Sequence, residues 1–384
     1  MTDIEIVPAE SPRDLRRFIA LPHRIYANDP HWVPPLDSEV NKLLSRKKNP
    51  FFHHGDAAYW LALRGGEPVG RISAQINRLH LERYNDATGN FGFLEAFDDQ
   101  AIFDRLFATA EDWLRGRGMR RSLGPYSPTV NDDIGVLVSG FDTPPMALMG
   151  HAPRYYRPRL EKAGYAKAKD VFAYRIEREN LNFDTVGRLK KIAERATKGT
   201  DISLRQIDMK RFEEEMRLAL DLYNDAWHDN WGFISVAPDE VTAVIAAIKP
   251  VIRADLVIMA SIRGAMVGFT AAIPNINEYF VDLKGKLLPF GWAKLLWRLR
   301  YGKPRGVRVI LGGVKSEYRN SVLGAAVMSS MLALLVENLI ASSYQVCEIS
   351  WILEDNKASL GITRAFAKLA KIYRIYQKEL APPP

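Results

Sequence analysis

Between Val307 and Asn356 two short apolar runs flank one long uncharged run, and this order constrains the chain more than any other stretch. The first run, Val307-Arg-Val-Ile-Leu-Gly-Gly-Val-Lys315, has the length and composition of a strand. The turn Ser316-Glu-Tyr-Arg-Asn-Ser321 leads into a helix predicted to open near Val322-Leu-Gly324. Gln345-Val-Cys-Glu-Ile-Ser-Trp-Ile-Leu353 is predicted as a second strand, ending in Glu354-Asp-Asn356. A helix start offers free backbone N–H groups with the positive end of the dipole behind them, which suits a pyrophosphate. Arg319 adds a cation able to fork onto a phosphate oxygen. Asn356 offers an amide donor and an acceptor to an arm lying in the gap between the two strands.

These residues resemble the GNAT acyltransferase superfamily, whose signature is a strand, then Arg/Gln-x-x-Gly-x-Gly/Ala opening a helix, then a strand and an Asn. Here the run is Arg319-Asn-Ser-Val322-Leu-Gly324, with valine for the first glycine. Seven residues beyond the Asn, where many members carry a Tyr thought to protonate the departing thiolate, stands Thr363. The resemblance implies a site for coenzyme A or acyl-CoA, taken as a substrate, built from Val314, Lys315, Ser316, Arg319, Asn320, Gly324 and Asn356. It also implies a mixed, mostly antiparallel sheet flanked by helices.

A chain of 384 residues with 47% hydrophobic content can fill two ordinary cores. The single cysteine, Cys347, excludes a disulfide framework and fits a reducing compartment. The acidic start Met1-Thr-Asp-Ile-Glu-Ile lacks a basic head and apolar run, so no signal peptide is expected. The longest uncharged stretch, Asn320 to Val336, falls short of the roughly 20 residues that span a bilayer and is expected as a buried helix. Net charge is +8, and nine basic residues with no acidic one lie between Lys284 and Lys315. The remaining 44 basic residues nearly balance the 45 acidic ones.

A coarse pattern recurs with a period of about two hundred residues, too long for a solenoid repeat and suited to tandem domains. In the first half Ile4–Val7 reads as a strand and Ser11–Tyr26 as a helix opened by Ser11-Pro12. Tyr59–Leu63 and Val69–Ile76 form a hairpin about Arg64-Gly-Gly66. A helix at 100–115, a strand at 135–138 and a helix ending at Gly164 follow. The second half repeats this with a strand at 202–207, a helix at 211–227 and a hairpin about Arg263-Gly264. Expected are a degenerate GNAT-like domain at 1–178, a linker helix or boundary at 179–200, and a GNAT domain at 201–384 carrying the acyl-CoA site. The matching place in the first half, Phe91–Gln100, has carboxylates where a phosphate needs donors.

The run Tyr223-Asn224-Asp-Ala-Trp227-His-Asp-Asn230-Trp231-Gly-Phe233 is rich in aromatics and amides. By resemblance it covers the acceptor pocket and suits an apolar acceptor with a polar head; capping of the core is the alternative. An attacking amine must lose a proton, for which Glu317, Glu354 and His228 are candidates, with Glu348 behind them. The loops at Gly124–Asp133 and at His151–Tyr156 read as structural. No Ser/His/Asp motif, Walker loop or zinc spacing is present, and no metal is expected.

The basic run 284–306 reads as an amphipathic insertion, with Leu288, Trp292, Leu295, Leu296 and Leu299 on one helical face beside Lys294 and Arg298. That pattern suits a helix on an anionic bilayer; a packed insertion with solvated charges is the alternative, and nucleic acid lacks a recognisable module. Asn230-Trp-Gly-Phe233, Ser350-Trp-Ile-Leu-Glu-Asp-Asn356 and Tyr373-Arg-Ile-Tyr376 resemble the group that includes the bacterial ceramide synthases. The resemblance implies transfer of a long-chain acyl group from acyl-CoA to a sphingoid base, 3-oxosphinganine or sphinganine, on the inner face of a bacterial inner membrane. A Fem-like aminoacyl or peptidyl transferase and a non-catalytic lipid- or partner-binding protein are the alternatives.

Overall fold

The computed structural model describes residues 3–181, 183–319 and 321–381. In chain order the first half forms β1 (Ile4–Pro8), α1 (Pro12–Ile25), α2 (Asp37–Leu44), α3 (Phe51–His54), β2 (Gly55–Arg64) and β3 (Glu67–Asn77). Then come α4 (Arg78–Tyr84), β4 (Thr88–Ala96), α5 (Gln100–Arg115), β5 (Arg121–Gly124), β6 (Tyr126–Ser127), β7 (Asp133–Ile134), β8 (Val136–Ser139), α6 (Tyr156–Lys162) and β9 (Ala166–Glu177). The second half forms α7 (Phe183–Thr197), β10 (Ile202–Gln206), α8 (Phe212–Trp227), α9 (Pro238–Ile248), β11 (Val257–Ile262), β12 (Ala265–Pro274) and α10 (Gly291–Tyr301). It ends with β13 (Gly306–Val314), α11 (Val322–Ala341), β14 (Val346–Leu353), α12 (Lys357–Arg364) and β15 (Lys368–Glu379).

The chain divides into two compact units. One comprises Met1–Val171, Tyr279–Leu295 and Lys371–Pro384; the other comprises Phe172–Glu278 and Leu296–Ala370. Each lays five strands in the same way. In the first, β1, β2, β3 and β4 pair antiparallel in turn and β5 joins β4 in parallel. In the second, β10, β11, β12 and β13 do the same and β14 joins β13 in parallel. Each unit thus has the mixed, mostly antiparallel sheet that the resemblance implied.

Local chemistry accounts for these elements. Ser11 caps α1 by accepting from the Asp14 amide at 3.1 Å, and Pro12 occupies the first turn. Both hairpins turn on two consecutive residues with positive φ, Gly65 and Gly66 in one and Arg263 and Gly264 in the other. That backbone twist matches the strand twist. The stretch 179–200 folds as α7, which packs on α11 in the second unit. By length and composition α11 could cross a membrane; here Val327, Met331 and Leu335 are fully buried in the core built on β11, β12 and β13.

The first unit encloses a charge. On β4, Glu95 accepts from the hydroxyls of Tyr26 at 2.9 Å and Tyr156 at 2.6 Å, with Arg71 Nη2 4.0 Å away. Burial pushes its carboxyl from 4.5 up to about 7, overcoming Arg71 and the two phenols. The folded state therefore holds a proton that the unfolded chain releases between these values, so stability falls as pH rises through the window. The full cost, about 3 kcal/mol at most, is in place above pH 7. Urea unfolding of the wild type should show a midpoint that declines from pH 5 to pH 8. Glu95→Gln should flatten that decline, and identical pH profiles would refute the assignment.

Candidate functional site

β13 and β14 are hydrogen-bonded only from Gly306/Val346 to Val309/Ile349. At that point the register of β13 against β12 shifts, so Ile310 is an extra residue between Val309, opposite Ala272, and Leu311, opposite Ala271. A bulge bends its strand and raises the local twist. Beyond it Ile310–Val314 and Ser350–Leu353 are not paired with each other, which opens the expected gap.

At the head of this gap, the single turn Ser316–Tyr318 joins β13 to α11. Ser321 caps α11, its Oγ accepting from the Gly324 amide at 3.0 Å. A Cβ on Gly324 would lie 2.0 Å from the Tyr318 carbonyl oxygen, so the second signature glycine is required by close approach of the helix to its own turn. Val322, where the signature has its first glycine, is 90% exposed, and its side chain meets no such obstacle. Asn320 lies outside the described residues.

Carboxylates of α8 already engage this loop. Asp225 accepts from the Ser316 amide at 2.6 Å and from its hydroxyl at 2.8 Å. Partial burial would raise this carboxyl, but Ser316, Arg319 and Lys315 hold it below its ordinary range. Arg319 pairs with Asp229 at 2.9 Å and donates to the carbonyls of Asp225 and Ala226, capping the C-terminal end of α8. Its charge stands at the loop, but its donors point toward α8. His228 and then Arg319 hold Asp229 low.

At the far side of the gap Asn356 caps α12, its Oδ1 accepting from the Ser359 amide at 3.1 Å. Its acceptor thus serves its own helix, leaving the NH2 group to address a ligand. Thr363 is buried in α12. A phenol reaches that helix from β9 instead: Tyr174 accepts from Arg364 Nε at 3.0 Å and packs on Ile352 and Leu360. Sequence reading missed it because it lies almost two hundred residues away.

Part of the aromatic run gathers into one cluster. Tyr223, Trp227 and Phe233 form one cluster, with ring centroids 5.0 and 5.4 Å from Tyr223. Trp227 Nε1 donates to the Gly312 carbonyl on β13. Asn224 clamps the loop, its Oδ1 accepting from the Val236 amide at 3.0 Å. Asn230 joins the turn through its amide to the Trp227 carbonyl, and Trp231 is half-buried. Of the candidate bases, Glu317 is exposed on the loop after Val314 and Lys315, His228 is exposed beside Asp229, and Glu354 is half-buried just past β14.

A buried polar group sits where the strands part. Arg308 donates from Nε to Ser350 Oγ at 2.8 Å and lies over the Trp351 ring at 4.6 Å. Ser350 Oγ in turn donates to Glu348 at 3.2 Å, and Glu348 is fully buried opposite Arg308 in the register. An arginine between valines on an apolar strand was the available signal for it.

The first unit has the same device, closed by its own chain. β4 leaves β5 after Asn90/Leu123 and bulges at Phe93, whose φ is 45°. Tyr126 then fills the space: its carbonyl oxygen would lie 1.6 Å from a Cβ on Gly92, and Gln75 Nε2 holds that carbonyl. Asp99 caps the start of α5 and pairs with Arg64, so a carboxylate already occupies the helix start. Among the described residues no group of three or more His, Cys, Asp or Glu could hold a metal.

The expected apolar face of the basic insertion is divided. Leu288, Trp292 and Leu296 are exposed, whereas Leu295 and Leu299 are half-buried, because the helix turns that edge inward. Phe290, Trp297 and Tyr301 complete the exposed set, and Phe290 and Trp297 are 78% and 63% exposed.

Over 98% of both chains, this sequence is 43% identical to a bacterial ceramide synthase of Caulobacter vibrioides. It is 39% identical to the protein YghO of Escherichia coli over 96% of this chain and 93% of that one. No family model matches. A tandem GNAT protein from the clavulanic acid biosynthesis pathway superposes over 100% of both chains with a TM-score of 0.56 at 13% identity, a likeness of fold.

The packing of Gly324 generates a direct test. Gly324→Ala should cost about 1–3 kcal/mol of stability through overpacking against the Tyr318 carbonyl. Coenzyme A, the ligand that the resemblance implies for this loop, should bind the variant more weakly in calorimetry, because the loop must open to relieve the contact. Val322→Gly should leave affinity within about twofold. Unchanged affinity in Gly324→Ala would remove this loop from the binding site.

Proposed function

The chain belongs to the bacterial ceramide synthase family and is an N-acyltransferase, and from that premise we propose that it moves a long-chain fatty acyl group from coenzyme A to a sphingoid base. The acceptor is the amino group of 3-oxosphinganine or sphinganine, and the product is a ceramide or dihydroceramide. The observation that carries this reading is 43% identity to a named ceramide synthase along nearly the whole of both chains. The gap between β13 and β14 supports it, with an anion-compatible helix start at one end and the Asn356 amide at the other.

In this reading the pantetheine arm lies in the gap and the pyrophosphate at the start of α11. The neutral amine attacks the thioester carbonyl; a C–N bond forms, the C–S bond breaks, and the thiolate leaves. Glu317 and Glu354, on the loop at the head of the gap and just past β14, take up the ammonium proton directly or through water. His228, held beside Asp229, is the third candidate. Tyr174 is assigned return of a proton to the thiolate, the role for which Thr363 has no suitable acid.

The exposed Leu288, Phe290, Trp292, Leu296 and Trp297 support a second part of the proposal, reversible attachment to an anionic cytoplasmic membrane face. Each neighbouring Lys or Arg contributes about 1 kcal/mol near such a surface, screened by salt. In flotation with phosphatidylglycerol-containing vesicles, binding should weaken as salt is raised and be lost in Trp292→Ser/Trp297→Ser. Binding that ignores both salt and these substitutions would dismiss the membrane assignment.

Mass spectrometry decides the reaction. Palmitoyl-CoA and sphinganine should yield an amide and free coenzyme A, with kcat lowered about tenfold or more by Glu354→Gln or Tyr174→Phe. Turnover of acetyl-CoA with small amines, with sphingoid bases untouched, would leave the family intact and end the lipid reading.

A further inference from the structure

Behind the paired end of β13 and β14 the second unit holds a half-open apolar pocket of about 70 Å3. Val307 and Cys347, directly opposite each other in the register two residues before the strands part, lie on one wall. Val336 and Ile340 of α11, Ile176 of β9 and Phe366 beyond α12 also line it. Such a volume has room for several waters, yet a lining this apolar gives them few polar partners and suits an apolar ligand. The one strong charge at its edge, Arg178, is satisfied by the carbonyls of Ile340, Ser342 and Tyr344 at the end of α11.

The position identifies the occupant. Val336 lies fourteen residues along α11 from Val322, about 21 Å from the helix start at 1.5 Å per residue. The wall residues Val307 and Cys347 are only about 7 Å along the strands from the parting at Val309/Ile349. A donor with its phosphates at the helix start and its thioester in the gap carries its acyl chain toward this end, along the same two strands. We infer that the cavity receives the far methylenes of the fatty acyl chain and sets the preferred donor length. This inference rests on the acyl-transfer reading. Occupation by the sphingoid tail instead is the rival outcome, in which a sphingoid base without any acyl-CoA protects Cys347 and S-hexadecyl-CoA does not.

The single cysteine gives a readout independent of turnover. Burial among apolar neighbours pushes the Cys347 thiol up to about 12, so it reacts slowly at neutral pH. In the whole protein, saturating S-hexadecyl-CoA, a thioether that cannot react, should slow modification of Cys347 by methyl methanethiosulfonate at least fivefold. Coenzyme A alone should not. Val336→Phe and Ile340→Phe should each lower kcat/KM for palmitoyl-CoA at least tenfold relative to octanoyl-CoA, since each methylene left unburied costs about fourfold. If S-hexadecyl-CoA binds in calorimetry without protecting Cys347, and the folded variants keep the wild-type length preference, the cavity is not the chain site although acyl transfer stands. If the wild type forms no amide from any acyl-CoA, the functional reading falls and takes the inference with it. Should both variants fail to fold, protection of Cys347 in the wild type decides.

Discussion

The candidate site depends on a single break in a ladder of hydrogen bonds. Parallel strands that stay paired leave no room for a ligand between them. β13 and β14 part after Val309/Ile349 because the extra residue Ile310 bends β13 away. Everything assigned to the donor is arranged about this opening. α11 presents its start at the head of the gap, α12 brings Asn356 to the other edge, and the buried group of Arg308, Ser350 and Glu348 sits where the strands separate. A buried arginine is costly unless its hydrogen bonds are met. Its bonds to Ser350 hold the two strands in register up to the point where they diverge.

The first unit shows what happens when the same opening is filled. β4 bulges and leaves β5 as β13 leaves β14, but the Tyr126 carbonyl seats against Gly92 and Gln75 fixes it there. At the neighbouring helix start Asp99 supplies the negative charge that a phosphate would otherwise bring. One architecture thus yields an open cleft in one unit and a packed core in the other, and the difference lies in a few residues after the fifth strand.

Carboxylates also set the state of the open site. Asp225 and Asp229 engage Ser316 and Arg319, tying the end of α8 to the loop through charge-assisted bonds. The loop is thereby ordered before any ligand arrives. In the proposed function a pyrophosphate entering beside Arg319 competes with Asp229 for its donors, so affinity at this point is a balance between two anions.

Much of this order is written locally. Ser11-Pro12, the two Gly-containing hairpin turns, and the runs that form α5, α8, β13, α11 and β14 are legible because capping, positive φ and apolar patterning act over a few residues. The resemblance carried by Arg319, Gly324 and Asn356 was legible for the same reason, since helix starts follow from short motifs. Other features were not. β9 and β15 contribute residues to both units, Tyr174 reaches α12, and Tyr126 closes the first cleft, all through contacts between distant parts of the chain. The orientation of Arg319 toward α8 and the inward turn of Leu295 and Leu299 were equally hidden. The sequence by itself determined which segments become strands, helices and anion-compatible turns. Only tertiary structure decided which edges stay open and where charged side chains point, because those outcomes depend on packing between residues that sequence spacing does not relate.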